Sequence, residues 1–247
     1  MKRNYRGWKR NLPDFRDFTY SLSKSNNVPT VVDLRSVCPP ILDQGNLGSC
    51  TANAGVETYN FLELKDKVPY VELSRLFLYY VTRSLEGTTR YDSGCYIRDV
   101  VKALTKFGIC QESFCPYDIK QYTKKPSQVA YDDGATRKCT SYLRVNGMNG
   151  IRDCLASGYP IIFGFTVYSS FETDTVAETG VVPLPKRRES VLGGHCVLLV
   201  GYDDLNGWFI CQNSWGVEWG DKGFFYLPYT YLPLMSDFWT VRSAKNI

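Results

Sequence analysis

Gly193-Gly194-His195-Cys196-Val197-Leu198-Leu199-Val200-Gly201-Tyr202 holds the only histidine in the chain. Its apolar run is too short to span a bilayer and reads as a buried strand. The Gly-Gly pair before it reads as a turn. His195 is therefore expected at the head of the strand, projecting from its end. If the protein does acid–base chemistry near neutral pH, His195 alone has the unperturbed pKa for it. Outward from this stretch lie Asn213-Ser214-Trp215-Gly216 downstream and Gly48-Ser49-Cys50 far upstream. A nucleophile, a base and an amide are all on offer.

The rest of the composition narrows the field. At 247 residues, 44% hydrophobic and 15% aromatic, the chain can bury one large core or two packed halves. The net charge of +4 is mild, and no dense one-faced basic cluster points to nucleic acid. No run is long enough for a membrane span. One histidine and no Cys-x-x-Cys leave no zinc pattern, so neither metal nor cofactor is expected. Nine cysteines leave one over in any fully oxidised form. If that one is Cys50, the other eight could pair, in an order the sequence does not give. The start of the chain lacks the apolar stretch of a signal peptide, which favours a cytoplasmic or virion-associated setting over a secreted one.

The chain changes character along its length. Residues 1–12 carry five positive charges and no acid, with Tyr5 and Trp8 interleaved. A polar stretch, Ser21 to Asn27, reads as a linker ending near Pro29. Near-helical spacing of apolar residues predicts helices from Cys50, through Leu73–Val81, and through Ile97–Phe107 with Gly108 at the C-cap. Tyr159–Val167, Cys196–Tyr202, Trp208–Gln212 and Gly223–Leu227 read as strands. Tyr168–Leu192 reads as a long polar surface loop. Helices first and strands second imply an α+β fold in two lobes.

Cys50 at a helix start would have its thiolate favoured by the positive dipole end. Asn213 could accept an N–H from the His195 ring and fix its orientation, with Trp215 shielding that bond from water. The Gln44 side chain and the Cys50 backbone N–H could form an oxyanion hole.

Gln44-Gly45-Asn46-Leu47-Gly48-Ser49-Cys50, Gly194-His195-Cys196 and Asn213-Ser214-Trp215-Gly216 together resemble the three signature blocks of papain-like cysteine peptidases, over roughly residues 29–230. The resemblance implies a two-lobed papain-like fold: a helical lobe over roughly 50–140, and a β-barrel-like lobe over roughly 141–225 plus the N-terminal strand. The cleft lies between them. It implies a monomeric cysteine endopeptidase acting on polypeptides, with Cys50, His195, Asn213 and Gln44 as the catalytic set. Substrate would lie extended along Gly94 and Cys95, with Phe163, Gly164, Cys196 and Trp215 beside it. Specificity would rest on the residue two positions before the scissile bond. The chain departs from the family in having Leu47 where a cysteine is usual, Thr51 where Trp usually follows the nucleophile, and Gly194 before the histidine. These point to a divergent bacterial or viral-type branch.

Residues 1–27 resemble the short leader of such bacterial enzymes, ahead of a catalytic domain over 28–247. The leader is expected to lie near or over the cleft and limit access to it. Two other readings of the same residues are a transpeptidase or transamidase, which would pass the acyl group to an amine, and a non-catalytic binding protein.

Overall fold

Every residue from Cys50 to Leu62 is buried, so the first long helix is wrapped on all sides rather than laid on a surface. The structure, a computed structural model, describes residues 5–22 and 28–243. The first residues of the basic segment and Ser23–Asn27 of the expected linker lie outside the described residues.

The elements run β1 (Trp8–Lys9), β2 (Val31–Asp33), α1 (Cys50–Lys65), α2 (Arg75–Leu85), β3 (Cys95–Tyr96) and α3 (Ile97–Lys106). Then come α4 (Gln128–Gly134), β4 (Cys139–Arg144), α5 (Gly147–Ala156), β5 (Ile161–Tyr168), α6 (Asp174–Thr179), β6 (Val191–Asp203), β7 (Trp208–Gln212), β8 (Phe224–Pro228) and β9 (Met235–Ser243). The three helices expected in the first half are present. Gly108, at φ 73°, ends the third, its N–H bonded to the Ala103 carbonyl.

One seven-stranded sheet organises the second half in the order β4-β9-β5-β6-β7-β8, with β2 pairing the far end of β6. It does not close: among the described residues β4 and β8 do not pair, so the lobe holds an open sheet instead of a barrel. Two apolar cores result. One gathers α1, α2 and α3 against one face of the sheet, with Leu198, Val200 and Trp239 facing them. The other fills the strand-rich lobe around Phe163, Phe165, Leu199, Phe209 and Phe225. Alternation along β6 sends Cys196, Leu198 and Val200 to the first core and Val197 and Leu199 to the second.

Two expectations need correction. β6 begins at Val191, so His195 stands inside a strand, opposite Phe165 of β5, and not at its head. The Gly-Gly pair carries the pairing through, because Gly193 can take φ 149°, which side-chain-bearing residues rarely adopt, and β5 offers partners as far as Tyr168. The polar connection 168–192 is also not bare loop: it holds a 3-10 turn at Ser169–Glu172 and α6, whose Thr173 Oγ1 accepts from the Val176 N–H.

Candidate active site

α1 begins at Cys50, and the turn before it is fixed residue by residue. Gly45 at φ 61° follows Asp43, whose Oδ1 accepts its N–H at 2.9 Å. The Gly48 N–H donates to both carboxylate oxygens of Asp92 at 3.1 Å, and Tyr79 donates its hydroxyl to the same carboxylate at 2.5 Å. Asp92 thus binds the nucleophile turn to the segment leading into β3.

Gln44 is buried and doubly held. Its Nε2 donates to the Leu47 carbonyl at 3.0 Å, and its Oε1 accepts from Ser214 Oγ at 2.8 Å. The Gln44 N–H donates to the Ser214 carbonyl at 2.9 Å, so the first and third sequence blocks are stitched together. Nε2 carries a second hydrogen for an oxyanion.

His195 Nε2 lies 2.8 Å from Asn213 Oδ1. A donated Nε2–H there leaves Nδ1 as the nitrogen that exchanges a proton with a thiol. The Trp215 ring stacks on the imidazole at 4.8 Å and 25° between planes. The sulfur of Cys50 sits beside the Cys196 backbone N–H, one residue past the histidine. Burial pushes the Cys50 thiol up to about 12, and the N–H groups of Cys196, Thr51 and Cys50 itself offset only part of that.

Residues 5–9 contribute to that burial. The Tyr5 carbonyl accepts from the Gly194 N–H at 2.9 Å, and the Gly7 carbonyl accepts from the Cys95 N–H at 3.0 Å. β1 then runs parallel to β3, Trp8 opposite Cys95 and Lys9 opposite Tyr96. A Cβ on Gly7 would fall 2.5 Å from Cys50 Sγ; one on Gly94 would meet the Arg6 carbonyl oxygen at 2.1 Å. The Trp8 indole lies directly on Gly164 and Gly194. Further on, Asp17 forms a two-pronged ion pair with Arg98 at 2.9 and 2.7 Å and a second with Arg144 at 3.0 Å.

Of the remaining expected substrate contacts, Gly94, Cys95 and Gly164 all touch this segment. Cys196 lies in the helical core with its amide toward Cys50. Phe163 does not face the cleft. Because Gly164 does, strand alternation turns Phe163 inward, where it stacks on Phe238 at 5.7 Å. Asp237, which sequence reasoning missed, accepts from Trp8 Nε1 at 3.1 Å and from the Asn11 N–H at 2.7 Å. Its signal was a lone acid inside the apolar run Leu234 to Trp239.

Compared with known proteins, residues 28–231 match the papain family cysteine protease model. The chain is a papain-family cysteine protease. An uncharacterised peptidase C1-like protein of Acanthamoeba polyphaga mimivirus is 37% identical, over 100% of this chain and 89% of that protein. Among solved structures, xylellain, a cysteine protease from Xylella fastidiosa, superimposes with a TM-score of 0.90 at 39% identity, covering 97% of this chain and 96% of that one. The digestive procathepsin L 3 of Tenebrio molitor shares the fold alone: 20% identity, TM-score 0.68, covering 85% of this chain and 67% of that one. The papain-family fold, and membership of a divergent branch of it, follow from these matches.

Proposed function

We propose that Cys50 is the nucleophile of a peptide-bond hydrolysis in which His195 serves as base and then acid. His195 Nδ1 takes the Cys50 proton, and the thiolate adds to the scissile carbonyl. Gln44 Nε2 and the Cys50 N–H hold the oxyanion. The imidazolium returns its proton to the leaving amine, and water cleaves the thioester to release acid and free thiol. Asn213 keeps the ring in the tautomer and orientation this exchange needs, and the Trp215 stack excludes water from that bond.

The observation that carries this reading is an extended peptide backbone, residues 5–9, seated on Cys50 between β3 and β6. The cleft holds polypeptide. That segment also supports an inhibitory role for the leader. The Gly7 carbonyl is taken up by the Cys95 N–H, as the backbone of a bound peptide would be.

An epoxysuccinyl peptide tests the reading. Adduct mapped to Cys50, with hydrolysis of peptides by a chain starting at Val28 and much less by the full chain, is expected. Equal activity of the two chains would end the inhibitory claim, and absence of both labelling and hydrolysis would end the peptidase claim.

A further inference from the structure

The two proposed oxyanion donors stand at opposite ends of one turn, Gln44 Nε2 near its start and the Cys50 N–H at its close. Their spacing is the width of the hole. Between them lie Gly45, at φ 61°, and Gly48, and glycine-bearing backbone does not hold such a spacing unaided.

A phenol spans the turn. The Tyr117 hydroxyl donates to the Gln44 carbonyl at 2.9 Å and lies 2.5 Å from Oγ of Ser49, the residue just before Cys50. A phenol has one proton to give, so with Gln44 as its acceptor Ser49 supplies the proton of the second bond. Asn53 supports that direction, its Nδ2 donating to Ser49 Oγ at 3.1 Å and to the Ser49 carbonyl at 2.9 Å. The phenol ring is clamped in turn. The Arg75 guanidinium lies 3.8 Å from its centre, while Arg75 Nη1 donates to the Asp43 carbonyl at 2.8 Å. The consecutive carbonyls of Asp43 and Gln44 are thus both tied to side chains outside the turn. The backbone carrying the ring is pinned as well: the Tyr117 N–H donates to the Glu112 carboxylate, and Ser74 Oγ, the N-cap of α2, donates to the Cys115 carbonyl at 2.5 Å.

We propose that Tyr117 is a positioning residue for the hydrolysis, its hydroxyl bridging Gln44 and Ser49 and so setting the distance between the two oxyanion donors. The inference rests on the peptidase reading and adds to it a residue that acts through Gln44 and Cys50. An oxyanion forms only as the carbonyl is attacked, so a slack hole lowers kcat and leaves substrate binding in place.

The test uses the full chain carrying Gly7→Val as parent, with active sites counted by an epoxysuccinyl peptide. Tyr117→Phe removes the hydroxyl and leaves a ring beneath Arg75. It is expected to lower kcat by about tenfold while KM stays within about twofold. Ser49→Ala cuts the same bridge from its other end and should cost as much, and the two substitutions together no more than either alone. Gln44→Ala removes one donor outright, and on that background Tyr117→Phe should cost less than about threefold. Alkylation of Cys50 by iodoacetamide displaces iodide and forms no oxyanion, so its rate should match the parent's in every variant. An unchanged kcat in Tyr117→Phe, a full further loss on the Gln44→Ala background, or alkylation that slows along with hydrolysis overturns the inference, while hydrolysis by the parent upholds the peptidase reading. No labelling and no hydrolysis by the parent overturns both.

Discussion

Gly7 rests on the sulfur of Cys50 so closely that a methyl group at residue 7 would lie 2.5 Å from Sγ and 3.0 Å from the Gly48 carbonyl oxygen. Neither neighbour can retreat, since Cys50 is fixed at the start of α1 and Gly48 is held by Asp92. Gly7→Val in the full chain should therefore expel residues 5–9 and raise peptide hydrolysis by roughly tenfold or more, as a lost fit of about 1.4 kcal/mol would already allow. Steady-state rates on one fluorogenic peptide, before and after the substitution, check it.

Burial, to which residues 5–9 contribute, pushes the Cys50 thiol up to about 12, so near pH 8 it is almost wholly protonated. An acid with a raised pKa gains its reactive anion only as pH rises. Alkylation of Cys50 by iodoacetamide should be slow in the full chain and climb by about tenfold per pH unit between pH 7 and 10. In Gly7→Val it should be fast at pH 7 and nearly flat. Equal rates in both proteins would show that the segment does not set the state of the thiol.

On the proposed mechanism His195→Ala removes general base and general acid together, with no second imidazole in the chain to substitute. Turnover by leader-displaced protein should fall by at least about 10³-fold. Asn213→Ala should cost less, about 10- to 100-fold, because it frees the ring to turn but leaves it present. Active-site-titrated kcat values for the two variants should rank in that order.

Asp92→Ala strips an acceptor from the Gly48 N–H and from the buried Tyr79 hydroxyl at once. Stability should drop by about 2–3 kcal/mol, a fall in Tm of roughly 5–10 °C for a chain of this size. The remaining folded protein should also turn over more slowly, since the proposed oxyanion donors flank the turn that Asp92 steadies. Calorimetry and kinetics on the same sample separate the two effects.

The candidate set of Gln44, Cys50, His195 and Asn213 stood out in the sequence because it lies in three short blocks, and the structure brings Gln44 to Ser214 and His195 to Asn213. Helix α1 showed in apolar spacing, and β7 in a run that the structure reproduces from Trp208 to Gln212. What sequence could not show depends on partners far along the chain. β9 follows a 3-10 turn and carries a left-handed aspartate, Asp237, within it, and both break any strand pattern. The length of β6 was hidden because glycines mark turns in isolation, while here they are spanned by β5 and by Tyr5. Phe163 was placed on the cleft beside Gly164 by resemblance, although strand alternation puts neighbouring residues on opposite faces. Asp237 gained meaning only when Trp8, 229 residues earlier, arrived beside it.

The strap from Leu12 to Tyr20, anchored where Asp17 meets Arg98 and Arg144, has a consequence of its own. A segment tied this close to the cleft acts as a ligand at an effective concentration on the order of millimolar, whatever the protein's own dilution. If residues 5–9 inhibit, a substrate present at micromolar levels competes against a rival that never diffuses away. The threshold for activity then depends less on affinity for the cleft than on how long the tether stays attached. Cutting the chain between Leu12 and Leu22 would convert the rival from a neighbour into a dilute solute.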